Sequence, residues 1–215
     1  MREAVIVAGA RTPVGKSGKG SLATVRPDDL GAIAVKETLR RAGGYDGPID
    51  DIIIGCAMPE AEQGMNVARL IGALAGLPDS TPAITVNRFC SSGLQTIAYA
   101  AERIMIGSSQ AIIAGGAESM SMVPMVGNTL RPNAKLVETA PEYYMVMGHT
   151  AEQVAMKYGV SREDQDAFAV RSHERAAAAI AAGKFDDGIV PVEVTRHSFT
   201  DDGKLKEDTF MFSMD

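Results

Sequence analysis

Pro82-Ala83-Ile84-Thr85-Val86-Asn87-Arg88-Phe89-Cys90-Ser91-Ser92-Gly93-Leu94 passes from a strand pattern to a helix pattern across a single cysteine. Ala83 to Val86 is a short, β-branched apolar run of the kind that fills a buried strand. Leu94, Ile97, Ala98, Ala101 and Met105 then recur at helical spacing and mark one face of the helix that follows. Cys90 is therefore expected at a helix N-terminus, where backbone N–H groups and the positive end of the helix dipole favour a nearby anion. The same N–H groups can hold an oxyanion. A thiol so placed is a candidate nucleophile. Position alone fits equally well a small buried apolar residue, the usual fate of a free cysteine.

Outward from this junction, strand and helix patterns alternate. Ala4 to Ala10 reads as a near-continuous apolar strand, and Pro27-Asp28-Asp29 opens a helix carrying Leu30, Ile33, Ala34 and Leu39 that Gly43-Gly44 closes. Ile52-Ile53-Ile54 is a second buried strand, Asn66 to Ala75 a small-residue helix stopped by Gly76 and Pro78, and Ala111 to Ala114 a further strand. Unbroken apolar strands alternating with helices predict an α/β fold, a mainly parallel sheet covered on both faces.

After Glu118 the texture changes. Met120, Met122, Met125, Gly127 and Pro132 follow without periodicity until Gly148, so a boundary is expected there: residues 1–118 a core carrying the cysteine, 119–215 a loop domain. Thr150-Ala151-Glu152-Gln153 reads as a capping box that starts a short helix ending at Gly159. Ser161 caps a longer one through Phe168, His173 and Ile180 to Gly183. Ile189 to Val194 alternates as a strand, and Asp202-Gly203 is a turn signal.

Composition removes several function classes. The chain has 215 residues, 46% hydrophobic, with 21 Lys and Arg against 27 Asp and Glu, a net charge of −6. That is enough to bury a core, and no basic patch suggests a nucleic-acid groove. Cys56 and Cys90 fit no zinc spacing, and His149, His173 and His197 lie too far apart for a local metal motif, so no metal is expected. Met1-Arg2-Glu3 runs straight into an apolar strand pattern, with no signal peptide and no run approaching the roughly 20 apolar residues of a membrane helix. A soluble, cytoplasmic protein is expected. Gly9 to Ser17 imitates a phosphate-binding loop, but five residues separate Gly9 from Gly15 and Pro13 removes an N–H, so nucleotide binding there is rejected.

Four segments together resemble the N-terminal half of the thiolase family, which makes or cleaves 3-ketoacyl-CoA thioesters. They are Ala10-Arg11-Thr12-Pro13-Val14-Gly15, Val86 to Gly93, Gly115-Gly116-Ala117-Glu118-Ser119-Met120-Ser121 with Pro124, and Met147-Gly148-His149-Thr150-Ala151-Glu152. Their order and spacing both match. The resemblance implies a layered thiolase fold, with Cys90 as the nucleophile that forms an acyl-enzyme and its N–H assisting the oxyanion. Gly93 would let substrate and backbone approach closely. Met120 to Met125 would lie beside the site, and Met147 would border the acyl and pantetheine pocket, which suits an adaptable side chain. His149 is a further substrate-contact candidate. Coenzyme A and its thioesters would be the substrates, with no separate cofactor, and a homodimer or homotetramer is implied. Cys56 is expected to be a buried structural residue.

The chain also departs from the family pattern. Biosynthetic thiolases often carry His immediately before the Met-Gly pair, where this sequence has Val146. Phe89 and Ser91-Ser92-Gly93-Leu94-Gln95 look closer to the degradative 3-ketoacyl-CoA thiolases. The family completes its site with Gly-His-Pro, Cys-x-Gly and Asn-Glu-Ala-Phe motifs from a second half, and none occurs here, so the chain is expected to be a fragment that is inactive alone. A sister condensing enzyme of the same superfamily, or a catalytically silent binding module, stays open as an alternative.

Overall fold

The computed structural model describes residues 2–43 and 45–215. Gly44 of the expected Gly43-Gly44 stop lies outside the described residues. By compactness the chain forms two units, Met1–Asn128 with Gly188–Asp215, and Thr129–Asp187. The residues after Glu118 therefore do not stay together: Val123 is fully buried in the first unit, and the chain returns to that unit for its last hairpin.

The first unit is built on three parallel strands, β1 (Asp51–Gly55), β2 (Ala83–Val86) and β3 (Ile112–Gly116), in the order β2-β1-β3. Every residue of the central β1 is buried, as an unbroken Ile52-Ile53-Ile54 run requires. Helix α1 (Pro27–Arg41) starts with Pro27 at its first turn and Asp28 and Asp29 beside its N-terminus, and it packs on α2 (Val67–Ala75). The two helices meet at Gly31, where even a methyl group would fall 2.6 Å from Ile71 Cδ1. Helix α2 lies on β1 and β2, and its Val67, Ala68 and Ile71 join Val35, Ile52, Ile54 and Cys56 in one core cluster. Helix α3 (Ser92–Met105) packs on β1 and β3. Among the described residues no helix is long and apolar enough to cross a membrane.

Two expectations need correction. Ala4 to Ala10 forms no strand: Val5, Ile6 and Val7 are 73%, 82% and 73% exposed, because among the described residues no strand pairs with that run, where Gly9 O accepts instead from the Arg41 side chain. The strand expected from Ile189 begins at Val192 and extends to Phe199 as β4 (Val192–Phe199), paired antiparallel with β5 (Leu205–Phe212) around the turn at Asp202-Gly203. Buried Val192 and Val194, with Phe210 and Phe212, close a second cluster over Leu22 and the Leu30 and Ile33 side of α1.

The second unit holds α4 (Ala134–Thr139), a 3-10 turn at Pro141–Tyr144, α5 (Met147–Tyr158) and α6 (Arg162–Ala181). Ser161 caps α6 as the sequence implies, and the structure adds a reciprocal bond from the Ser161 N–H to Asp164 that completes a capping box. The one read at Thr150 is absent. Helix α5 already starts at Met147, so the Thr150 N–H donates to Val146 O at 3.1 Å and its hydroxyl turns back to the same carbonyl. The spacing of a capping box recurred inside a helix whose first turn, Met147-Gly148-His149, carries no strong start signal.

Candidate active site

Cys90 is exposed on the turn between β2 and α3, directly before Ser91, the N-cap of the helix. Phe89, just ahead of it, has φ +47°, a left-handed conformation that an aromatic residue adopts only where its surroundings impose it. Those surroundings are visible. Asn87 Oδ1 accepts the Phe89 N–H at 2.9 Å while Asn87 Nδ2 donates to Ala57 O at 2.9 Å. Ser92 Oγ accepts the Arg88 N–H at 2.8 Å and donates to Phe89 O at 2.6 Å, and Ser91 Oγ donates to Arg88 O at 3.0 Å. The Arg88 guanidinium pairs with the Gln95 side chain one turn into the helix. The Ser91 and Ser92 N–H groups donate to Arg88 O at 3.2 Å and Phe89 O at 3.0 Å, and the next N–H groups of the first turn have no intrahelical acceptor, so this end of the helix presents donors beside an exposed sulfur.

The helix reaches this position by turning its small face to the sheet. Ser92, Thr96 and Ala100 are the buried residues of α3, whereas Leu94 and Ile97 are 71% and 43% exposed. The apolar face read from the sequence is thus not the one packed on the strands. Glycines explain the choice. A methyl group on Gly55 would lie 2.5 Å from Ser92 C and 2.6 Å from Gly93 N, whereas one on Gly116 would meet Gly93 Cα at an ordinary 3.5 Å. Only small side chains fit between helix and sheet there, and their hydroxyls find carbonyls. Thr96 Oγ1 lies 2.7 Å from Gly93 O and 3.0 Å from Gly115 O.

A carboxylate braces the loop beside the turn. Glu118 Oε2 accepts the Ala57 N–H at 2.6 Å, and Glu118 Oε1 accepts from Gln63 Nε2 at 2.6 Å. Fully buried Gln63 also donates to Met58 O at 2.8 Å and accepts the Ser119 N–H. Cys56 is buried, 4.0 Å from Glu118 Oε1, and burial together with that negative charge pushes its thiol up to about 11. The two thiols of the chain thus differ in kind, one exposed at a helix start and the other packed in the core.

The family model described as "Thiolase, N-terminal domain" matches residues 4–214. The chain belongs to the thiolase family. It is 74% identical over all of its length to a protein of Bacillus subtilis (strain 168) named 3-ketoacyl-CoA thiolase, covering 55% of that protein. It is 42% identical over 98% of its length to an acetyl-CoA acetyltransferase of Cupriavidus necator, of which 56% is covered. Among solved structures, the acetyl-CoA acetyltransferase of Bacillus anthracis superposes with a TM-score of 0.82 at 34% identity, over the whole of this chain and 55% of the other. The thiolase chain therefore has the α/β thiolase fold and spans about half the length of the relatives it matches.

The remaining candidates of the thiolase chain fall in both units. Gly93 sits in the first turn of α3, where an added methyl group would rest in ordinary van der Waals contact with the end of β3, 3.9 Å from Gly115 C. Met120 and Met125, in the first unit, are 43% and 54% exposed. Met147, the first residue of α5, and His149 after it belong to the second unit, and both are exposed. Asn87, Gln63 and Glu118 were not singled out from sequence. Glu118 stands inside one of the motifs, but its partner Gln63 lies in an unremarkable stretch, and no spacing rule links them. Among the described residues no three His, Cys, Asp or Glu side chains converge as a metal site would require.

Proposed function

We propose that this thiolase chain supplies the nucleophile of an acyltransferase acting on CoA thioesters, with Cys90 carrying the acyl group. The observation that supports this most is the exposed Cys90 sulfur, held on a braced turn at the N-terminus of α3. In the acylation step the sulfur forms a bond to the thioester carbonyl carbon, the carbon–sulfur bond to coenzyme A breaks, and the departing CoA thiolate takes the proton given up by Cys90. The oxyanion formed on the way is stabilised by N–H groups at the turn and the helix start. The base that activates the incoming thiol, or the acetyl group in condensation, is assigned outside these residues, in keeping with the missing Gly-His-Pro and Cys-x-Gly motifs.

Identity of 74% to a protein named 3-ketoacyl-CoA thiolase favours the degradative direction, and with it a place in fatty acid metabolism. Met147 and His149 are proposed to line the CoA side of the site, on the strength of the family motif they occupy. Two free thiols suit a cytoplasmic setting. Among the described residues β2 pairs only with β1, and Ile84 beside that open edge and Phe89 beyond its end are exposed. Self-association across this side, as a homodimer or homotetramer, would cover them. Sedimentation of the full-length protein as a dimer or larger at micromolar concentration is expected, and a monomer would count against it.

The function is tested by mixing full-length protein with an acyl-CoA, quenching rapidly in acid and mapping peptides. The thioester is expected on Cys90. Label confined to Cys56 or to a residue outside the Val86 to Gly93 segment would refute the assignment.

A further inference from the structure

We infer that Asn87 is the positioning residue for the Cys90 thiol, and that Glu118 acts through it by holding the residue to which Asn87 is anchored. The inference rests on the acyl-Cys90 reading above. Phe89 occupies a sparsely populated left-handed conformation immediately before the nucleophile, and such a conformation persists only where neighbouring groups over-determine it. Several groups serve the turn, but Ser91, Ser92 and Gln95 belong to the turn or to the helix it starts, and move with them. Among the described residues, Asn87 is the side chain of the turn that ties it to the segment after β1. Its Oδ1 takes the N–H of the strained residue and its Nδ2 gives a hydrogen bond to Ala57 O, just past the end of β1.

The position of Ala57 is set in turn from the far end of β3. Its N–H donates to Glu118 Oε2, the other Glu118 oxygen is held by Gln63, and Gln63 is closed onto Met58 O and the Ser119 N–H. A continuous path of hydrogen bonds therefore runs from Gln63 through Glu118, Ala57 and Asn87 to the Phe89 N–H. Phe89 and Cys90 share a peptide bond, so a shift of the turn is a shift of the sulfur and of the Cys90 N–H. Displacement of a reacting group by about 1 Å costs on the order of 10²-fold in rate.

The test is a double-mutant cycle in the full-length protein, with kcat and KM for acyl transfer, the pH profile of Cys90 alkylation and thermal midpoints. Asn87→Ala is expected to lower kcat by about 30- to 100-fold, to change KM by less than about three-fold and to alter the rate and pH profile of Cys90 alkylation. Glu118→Gln retains an acceptor for the Ala57 N–H but sets an amide NH2 against that of Gln63. A smaller fall in kcat, about 3- to 10-fold, is expected. Because the second residue acts through the first, Glu118→Gln should cost little more in the Asn87→Ala background than Asn87→Ala costs alone. A merely structural role would lower the thermal midpoint and leave kcat and the alkylation profile of the folded protein in place. Asn87→Ala with kcat within two-fold of the parent overturns the inference, as does a cycle in which the two effects multiply. Should Asn87→Ala fail to fold, an unchanged kcat in Glu118→Gln overturns it, and a fall with a moved alkylation profile supports it. Full turnover by Cys90→Ala would instead remove the acyl-Cys90 reading, a different failure from an inactive Cys90→Ala beside a fully active Asn87→Ala.

Discussion

Cys90→Ala is expected to lower turnover of the full-length protein by about 10⁴-fold or more and to abolish its acyl label, while Cys56→Ala keeps both. Loss of a covalent nucleophile removes the intermediate itself, and the remaining groups that bind and polarise the substrate recover only a small part of the rate. The two cysteines are an internal control because their surroundings are opposite. Cys56 is 1% exposed and its thiol is pushed up to about 11, so near pH 8 only about one molecule in 10³ carries the thiolate that reacts. Iodoacetamide at that pH should therefore modify Cys90 and spare Cys56 in the folded protein. The sign for stability follows from the same shift. A thiol raised above its usual value near 9 contributes stability that is fully present below pH 9 and is lost as pH rises towards 11. Full turnover by Cys90→Ala, or alkylation of Cys56 ahead of Cys90, would contradict the assignment of the nucleophile.

The parts of this architecture legible in the sequence are those governed by local rules. The unbroken Ile52-Ile53-Ile54 run, the β-branched run into Val86, the Pro27-Asp28-Asp29 helix start and the Ser161 cap each carry their signal within a few residues, and each has a counterpart in the structure. Parallel pairing followed from the alternation of strand and helix, but only the central β1 is buried throughout: β2, expected as a buried strand, is half-buried with Ile84 exposed. What local rules could not supply was orientation. Helix α3 offers two stripes, a large apolar one through Leu94 and Ile97 and a small one through Ser92, Thr96 and Ala100, and hydropathy favours the first. The helix buries the second because its N-terminal turn lies so close to Gly55 of β1, far away in sequence, that no room is left for leucine. The Ala4 to Ala10 run shows the converse, since strand propensity makes no strand where, among the described residues, no strand lies alongside to pair with it.

The same distinction separates the nucleophile from its support. Cys90 was found because a thiol between a strand and a helix has a chemical meaning that can be read locally. Asn87, Gln63 and Glu118 are ordinary polar residues by any local measure, and their role appears only once β1, β2 and β3 are side by side and the separate segments that follow them meet at one end of the sheet.

Gly55→Ala puts this dependence on close approach to the test. The added methyl would fall 2.5 Å from Ser92 C, 2.6 Å from Gly93 N and 2.7 Å from Ser92 Cβ, and two of these are backbone atoms that cannot rotate away. Either the N-terminus of α3 retreats from β1 or the central strand bows, and overpacking of this kind costs about 3 kcal/mol at the upper end of its usual range. For a domain of this size that corresponds to a thermal midpoint lower by about 6–12 °C. A retreat of α3 carries Ser92 with it, and Ser92 holds both Arg88 and Phe89, so the sulfur of Cys90 moves as well. Turnover of the folded variant is expected to fall by about 10²-fold. Gly72→Ala is the matching control within the same unit, in the interior of α2, because its methyl would rest at an ordinary 3.4 Å from Ile52 Cγ2. Replacing a mid-helix glycine by alanine gains about 0.5–1 kcal/mol, so this variant should be at least as stable as the parent and fully active. Gly55→Ala with the parent's midpoint and turnover would show that α3 has room to spare against β1, and the account of why the helix buries its small face would fail with it.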